Sequence, residues 1–548
     1  MDKIEIVFQP MGKSIEVSPG TTVFDAARLL GIDLAAPCGG TGRCGKCLVK
    51  VLPSDTEGQW VLACQTPIDQ AGTVEVPASG ELVILAEGHA QGIPTDPAFV
   101  VEKNGELKHR AGVFVEKFEW DDPPLGLAVD IGTTTMVSYL YDLFSGKRLA
   151  VASLRNGQYL YGADVISRLS HALTGEANYQ NLRSALVAGL NSLALSCAQE
   201  AQVNPEQIRE IVMVGNTPMI HILLQLPLHG LANAPFQPYA KGPFYKTAEE
   251  LGLTAVPKAV CYLPPLIGGF VGSDALAACL AQGFSWSDET KLLVDIGTNG
   301  EILLQKGAKF LAASAPAGPA LEGGNIKHGM VARSGAIDKV TMDFDVHASV
   351  IGGGRAEGIC GSGLVDALAE MLRLGIVDSS GRIQGVEELS PVISFKIKQR
   401  LKTHPERAVN LTKDIFITQQ DIREVQLAKA AVAAAIKVIL TEASIAPEDI
   451  TELKLAGGFG NYLDPANAQR IGLLNGISLA KVQQVGNAAG IGSIRMLLSY
   501  GERLRAENMQ KAFKHLELAM DERYQGLFLD QINFPNKEYE RLKNPPDL

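Results

Sequence analysis

No stretch of this chain stays apolar for the ~20 residues that a membrane-spanning helix needs. The most apolar run, Ala430–Leu440, is interrupted by Lys437 and reads as a buried helix. Positive charge is also short: 49 Lys and Arg stand against 60 Asp and Glu, a formal balance of −11. That balance argues against nucleic acid and against anionic membrane surfaces, both of which need a basic face. No secretory leader is expected either, because Met1–Phe8 already alternates like a strand, and a cytoplasmic location is expected. Protein and small-molecule partners remain. With 46% hydrophobic and 20% charged residues the composition is that of a globular protein. At 548 residues the chain is too long for one core, so several domains are expected.

Cysteine is scarce as well, and unevenly placed. Of eight, Cys197, Cys261, Cys279 and Cys360 are scattered singly, whereas Cys38, Cys44, Cys47 and Cys64 crowd into the first domain. In a cytosolic protein such a cluster reads as metal rather than disulfide. The loop Pro37-Cys38-Gly39-Gly40-Thr41-Gly42-Arg43-Cys44-Gly45-Lys46-Cys47 is rich in glycine. Glycine lets the chain wrap tightly and aim backbone N–H groups at sulfur, which helps bear the negative charge of an iron–sulfur cluster. A hairpin (Ile4–Phe8 and Ser14–Val17), an amphipathic helix (Val23–Leu30) and strands at Leu48–Leu52 and Thr73–Val76 are expected around it. This frame, with Thr22–Ala27 before the loop and Leu62–Gln65 after it, resembles the plant-type [2Fe–2S] ferredoxins over about the first 85 residues. The resemblance implies a β-grasp domain whose Cys38, Cys44, Cys47 and Cys64 hold one [2Fe–2S] cluster. The spacing departs from the plant pattern by one extra residue between the first two cysteines and by a short last interval. Structural zinc is the competing occupant, but zinc knuckles rarely sit in such a frame.

Further along, one pattern occurs twice. Val129-Asp130-Ile131-Gly132-Thr133-Thr134-Thr135 returns as Val294-Asp295-Ile296-Gly297-Thr298-Asn299-Gly300, each time between two strand-like runs. An Asp at a strand end can hold a hydrated Mg²⁺, while Gly lets a phosphate approach the backbone and the Thr groups donate to it. One copy means only a turn; two in the same context indicate an internal duplication with a nucleotide held between the halves. Gly268–Leu280 and Asn487–Ser493 read as helices with small faces that allow close approach, and Asp274 near the start of the first is either a third candidate metal carboxylate or a partner of the helix dipole. Gly215-Asn216-Thr217 follows a buried strand and is either a nucleotide- or partner-facing loop or a helix cap. Gly358–Gly363 opens a helix and is either an anion site or a packing device. Late in the chain the strand Glu452–Leu455 runs into Gly457-Gly458-Phe459-Gly460, where a flat purine can lie against the backbone.

In this order, these elements resemble the phosphate-1, connect, phosphate-2 and adenosine motifs of the acetate and sugar kinase, heat-shock chaperone and actin superfamily, from about Leu125 to Leu498. The resemblance implies two ribonuclease-H-like halves closing on Mg-ATP. Asp130 and Asp295 would order metal or water. Gly132, Thr133, Thr134, Thr135, Gly297, Thr298 and Asn299 would face phosphates, and Gly457, Gly458, Phe459 and Gly460 adenosine. The expected layout is therefore multidomain α+β and α/β: a ferredoxin-like domain over 1–86, a Gly- and Pro-rich linker over 87–124, a first half over 125–285 and a second half over 286–548.

The pairing of such a ferredoxin with such an ATPase is similar, over essentially the whole chain, to the reductive activators of corrinoid proteins. Asn156–Arg168 and Val214–His221 share that likeness. It implies an ATP-hydrolysing electron-transfer activase that returns an inactive Co(II) corrinoid to Co(I). Its partners would be the corrinoid protein of a methyltransferase system and an upstream electron donor, with a homodimer compatible. Glu87–Gly92 nearly spells the D-x-H-x-x-G signature of His-ligated cobalamin, but Glu replaces Asp and no alternating strand–helix domain follows, so the corrinoid belongs on the partner. Two other readings stand beside this one: a small-molecule kinase with a fused redox domain, and an activator of a radical-type dehydratase. The latter carries its cluster cysteines inside the ATPase, where the single cysteines here show no such pairing.

Overall fold

The computed structural model describes residues 3–32, 34, 40, 42, 47–53, 59–76, 93, 95–103, 105–112, 115–117, 123–402, 406–460 and 462–535. Cys38, Cys44 and the Glu87–Gly92 segment lie outside the described residues. Two compact units emerge, one of Met1–Glu81 with Arg155–Leu186, the other of Leu82–Leu154 with Val187–Leu548.

In the first unit five strands form one mixed sheet. Its order is Lys13–Val17, Ile4–Gln9, Gly72–Glu75, Leu48–Pro53, Gln59–Leu62. The first strand of the chain pairs antiparallel with its hairpin neighbour and parallel with Gly72–Glu75. Alternation decides which face is covered: Ile6 and Phe8 point inward and pack with Val49, Val74 and the helix Val23–Leu29. Thr22 caps that helix, its hydroxyl accepting from the Asp25 N–H at 3.0 Å. A sheet clasping one helix is the β-grasp arrangement expected. The same unit includes the turn Gly157–Tyr161 and the helix Val165–Leu173, where buried Arg168 donates to the Gly162 carbonyl at 2.9 Å.

The second unit contains two six-stranded sheets built to one plan. The first runs Arg148–Arg155, Thr135–Asp142, Leu125–Ile131, Ile208–Gly215, Val260–Leu263, Phe244–Thr247. The second runs Lys309–Ala315, Gly300–Lys306, Thr290–Ile296, Glu452–Ala456, Val482–Gly486, with Phe513–His515 added beside Lys309–Ala315. In each, an antiparallel hairpin is followed by two parallel strands in the same chain order, and the first sheet adds Phe244–Thr247 antiparallel at its edge. The duplication seen in the sequence is thus a duplication of ribonuclease-H-like sheets. The helices Ser273–Ala281 and Ala488–Leu498 cross closely, since a Cβ on Gly492 would lie 2.0 Å from the Ala277 carbonyl oxygen. Among the described residues no helix is long and apolar enough to cross a membrane.

One stretch differs from expectation. The segment read as a linker contains three short strands, Phe99–Val101, Glu106–His109 and Val115–Lys117, in an antiparallel sheet. Phe99 and Leu107 join a core with Tyr139, Tyr141 and Tyr262. Fully buried His109 sets Nε2 3.1 Å from Glu210, which also pairs with Arg503 at 2.5 Å. Gly, Pro and Asp set the composition of this stretch, whereas two apolar side chains and one histidine decide where it packs. Burial alone would raise the Glu210 carboxyl, but Arg503 and His109 outweigh it and hold the group below its ordinary value.

Two results follow from that pocket. His109→Ala leaves a buried carboxylate with one partner fewer and should cost about 1–3 kcal/mol, read by chemical denaturation. A carboxyl depressed by folding contributes stability above its unfolded pKa of about 4.3, and this is lost as pH falls through the lower folded value. Glu210→Gln should therefore flatten the acid limb of the stability profile, and an unaltered limb would show that the pair carries no net linkage.

Candidate functional site

Both Asp-Ile-Gly turns open onto one cavity in the second unit. It is lined by Asp130, Gly132, Thr133, Thr134 and Thr135 from the first turn and by Asp295, Gly297, Thr298 and Asn299 from the second. Asp130 lies opposite Val137 in its hairpin and Asp295 opposite Glu301, so the two carboxyls occupy equivalent strand ends. The turn residue has to be Gly132, because a Cβ there would sit 2.4 Å from the Thr135 carbonyl oxygen. Asn216, a cap of the helix Thr217–Leu223, also reaches the site and donates to the Thr133 hydroxyl at 3.0 Å. The cap reading thus holds, in a residue that also lines the cavity.

Asp274, in the first turn of the Ser273–Ala281 helix, completes a set of acids in the wall. Burial chiefly, and their mutual charges in part, raise Asp130, Asp274 and Asp295 each to about 7, with Asp295 acting on Asp130, Asp130 on Asp274 and Asp274 on Asp295. A side-chain hydrogen bond from Asn487 partly offsets this at Asp130. Glu301 is driven well above its usual range by burial and by the same aspartates. Among the described residues no Lys, Arg or His lines the cavity. So much buried acid with no basic side chain fits a cation, which would replace the lost hydration. No three acidic, thiol or imidazole groups among the described residues converge closely enough to bind a metal directly. The donor set therefore suits Mg²⁺, which keeps its waters and takes phosphate oxygens.

Because a metal needs its carboxylates ionised, their protonation near neutrality competes with it. The Mg²⁺ concentration for half-maximal ATP hydrolysis should fall as pH rises from about 6 to about 8. Titrations at both ends check this, and a flat response would remove these acids from the ion.

The late glycine-rich segment meets the same cavity. Gly457, Gly458 and Phe459 line it in a short helical turn, while Gly460 is buried behind them with its carbonyl accepting from Gln484 at 3.1 Å. Gly457 has φ +88, and a Cβ there would come 2.5 Å from Asp295 Oδ1. Phe459 packs over the N-terminus of the helix Gly361–Arg373, where a Cβ on Gly361 would meet its ring at 2.7 Å. Cys360, Gly361 and Ser362 at that terminus face the cavity.

Three groups escaped the sequence reading. Glu322 accepts a hydrogen bond from the Thr298 hydroxyl and acts on Asp295. Its signal was an acid inside the glycine-rich Gly318–Ile326 segment. Glu301 directly follows the second turn pattern and faces Asp295 across the hairpin, so it was hidden as a strand residue. Asn487 caps its helix and bonds Asp130, a role that chain order alone does not show.

In the first unit Cys47 is buried and Cys64 half-buried, and their sulfurs lie 3.2 Å apart with no disulfide between them. Gly40 and Gly42 take φ of +87 and +78, the left-handed turns that a wrapping loop requires. A thiol pair beside such a loop fits the ligand set of an iron–sulfur cluster.

Residues 6–69 match the 2Fe-2S iron-sulfur cluster binding domain, 125–287 the RACo middle region, and 289–545 the C-terminal domain of RACo, the ASKHA domain. The chain is 33% identical to the corrinoid activation enzyme RamQ of Eubacterium limosum, over 97% of this chain and 99% of that one. It is 24% identical to the [Co(II) methylated amine-specific corrinoid protein] reductase of Methanosarcina barkeri, over 76% and 79% respectively. A solved reductive activator for corrinoid, iron-sulfur protein superposes with a TM-score of 0.72 at 29% identity, covering 97% of this chain and 99% of that one. With a [2Fe–2S] domain and an ASKHA ATPase domain in a single polypeptide, the chain belongs to the family of reductive activators of corrinoid proteins.

Proposed function

We infer that the protein is an ATP-dependent activase that passes one electron from its [2Fe–2S] cluster to the Co(II) corrinoid of a separate methyltransferase protein, regenerating Co(I). The observation that carries this is the match to a corrinoid activation enzyme along almost the full length of both chains. The duplicated sheets with a carboxylate-lined cavity, and the thiol pair in a β-grasp domain, supply the parts such an activity needs. The bound cluster would supply one electron to Co(II), an upstream donor would replace that electron, and ATP with water would give ADP and phosphate.

Bound [2Fe–2S] supplies electrons one at a time, and Mg²⁺ neutralises phosphate charge. The chain's residues do the rest. Thr133, Thr134, Thr298 and Asn299 present hydroxyl and amide donors to the phosphates, with Gly132 and Gly297 allowing close approach. Asp130, Asp274 and Asp295 order the hydrated cation, and Glu322, tied to Thr298, stands beside Asp295 to orient water. Phe459, Gly457 and Gly458 offer a flat wall to adenine. Cys38 and Cys44 join Cys47 and Cys64 as the cluster's ligands. Two halves of the same fold around one nucleotide give ATP open and closed states to distinguish, and ATP can shift that balance only by its differential affinity for them.

The test uses chemically reduced protein and a panel of Co(II) corrinoid proteins of methyltransferase systems, with Mg-ATP added or withheld. Co(I), followed by its visible spectrum, should appear promptly only with ATP. Equal formation without nucleotide would defeat the gating, and a phosphorylated small molecule as the main product would favour a kinase.

A further inference from the structure

The three most exposed large apolar side chains among the described residues are Val392, Phe344 and Phe395, at 86, 82 and 73%. Isolated exposed apolar residues need no explanation, but these three stand on two segments that are bonded to each other. Phe344 tips the hairpin of Ala336–Met342 and Val346–Val350. Its carbonyl accepts the Ser394 hydroxyl, which ties the hairpin tip to the segment that carries Val392 and Phe395. Arg400 clamps the same hairpin through Asp345 at 2.9 Å. Beneath them Ile393 and Ile397 are buried in the core, so the outward residues stand on a fixed base. Ser394 caps the turn that carries Phe395, accepting from the Ile397 N–H at 3.2 Å. Nothing in folding requires this exposure.

The rim is basic although the chain is acidic. Residues 396–402 carry Lys396, Lys398, Arg400 and Lys402 and no acid. Asp345, paired with Arg400, and Asp343, beside His347, flank Phe344, so the four cations of 396–402 outnumber these two acids. A second copy meeting this face two-fold would set lysines against lysines. A partner with apolar side chains flanked by carboxylates suits it.

We propose that Phe344, Val392 and Phe395, rimmed by Lys396 and Lys398, form the docking face for the corrinoid protein, whose matching surface is apolar with an acidic border. This rests on the function inferred above. Apolar centres supply most of the affinity of such contacts, and charged rims steer the encounter.

The full-length chain with Phe344→Ser and Phe395→Ser, and separately with Lys396→Glu and Lys398→Glu, is compared with the native protein on a Co(II) corrinoid protein that the native chain reduces. The KM for that protein should rise by about tenfold or more, while ATP hydrolysis, the visible cluster spectrum and the rate at saturation stay native. For the charge reversal the loss should shrink in high salt, where the rim contributes little. An unchanged KM in a competent assay overturns the docking face alone. Failure of the native chain on every corrinoid protein overturns the underlying function, and the docking face with it. Loss of self-association in light scattering, or of binding to anionic phosphatidylserine vesicles, with KM intact, would assign the face to a second copy or to a membrane and overturn the proposal.

Discussion

Asp295→Ala should hydrolyse ATP slower than the native chain by on the order of 10²-fold or more, with its iron–sulfur spectrum untouched. The carboxyl ends a strand at the second phosphate turn, is buried with Asp274 and Glu322 in its field, and faces the cavity that the first turn also lines. Removing it leaves the cation and the attacking water without one of their fixed charges. Asp295→Asn separates charge from shape: if charge is what counts, it should match the alanine variant rather than the native chain. Gly457→Ala approaches the same group from behind, since its methyl would stand 2.5 Å from Oδ1 and must push the carboxylate aside. It should cost activity without altering the acid itself. Turnover at the native rate in Asp295→Ala would exclude the assigned role, whatever the glycine variant does.

The repeat around Asp130 and Asp295 was legible because it is local. An aspartate, a glycine and a hydroxyl within one tight turn fix their own geometry, and the sheets on either side only present it. The same holds for Asp274, which a small-residue helix carries by its first turn. Glu322 and Asn487 were harder to see. Each reaches the cavity from an element far along the chain, and what marks them is the partner they bond, Thr298 and Asp130. Sequence pattern reports faces and turns; it does not report which distant turn closes on which. The small sheet formed by Phe99–Val101, Glu106–His109 and Val115–Lys117 failed to show for a related reason. Its strands are too short for alternation to register, and their place is decided by Phe99, Leu107 and His109 entering a pocket built from Tyr139, Glu210 and Arg503. Composition that reads as a tether can therefore still pack.

Cys47→Ala should abolish ATP-dependent Co(I) formation while ATP hydrolysis continues at close to the native rate. The two activities depend on different units: Cys47 and Cys64 belong to the first, and every residue lining the nucleotide cavity to the second. Cys47 is buried, its sulfur 3.2 Å from that of Cys64, so loss of the thiol removes a ligand that solvent is badly placed to replace. The variant should accordingly lose the visible bands and most of its iron and sulfide. Cys197→Ala makes the control. Its thiol is buried in the second unit, 3.1 Å from the Ser138 hydroxyl, and is not one of the four proposed ligands. That variant should keep iron, sulfide and Co(I) formation. Native protein prepared without air should contain two iron and two sulfide per chain if Cys38, Cys44, Cys47 and Cys64 hold one [2Fe–2S] centre. Zinc in place of iron would defeat the cluster assignment. Co(I) formation surviving in Cys47→Ala with its bands gone would show that the electron reaches cobalt by another route.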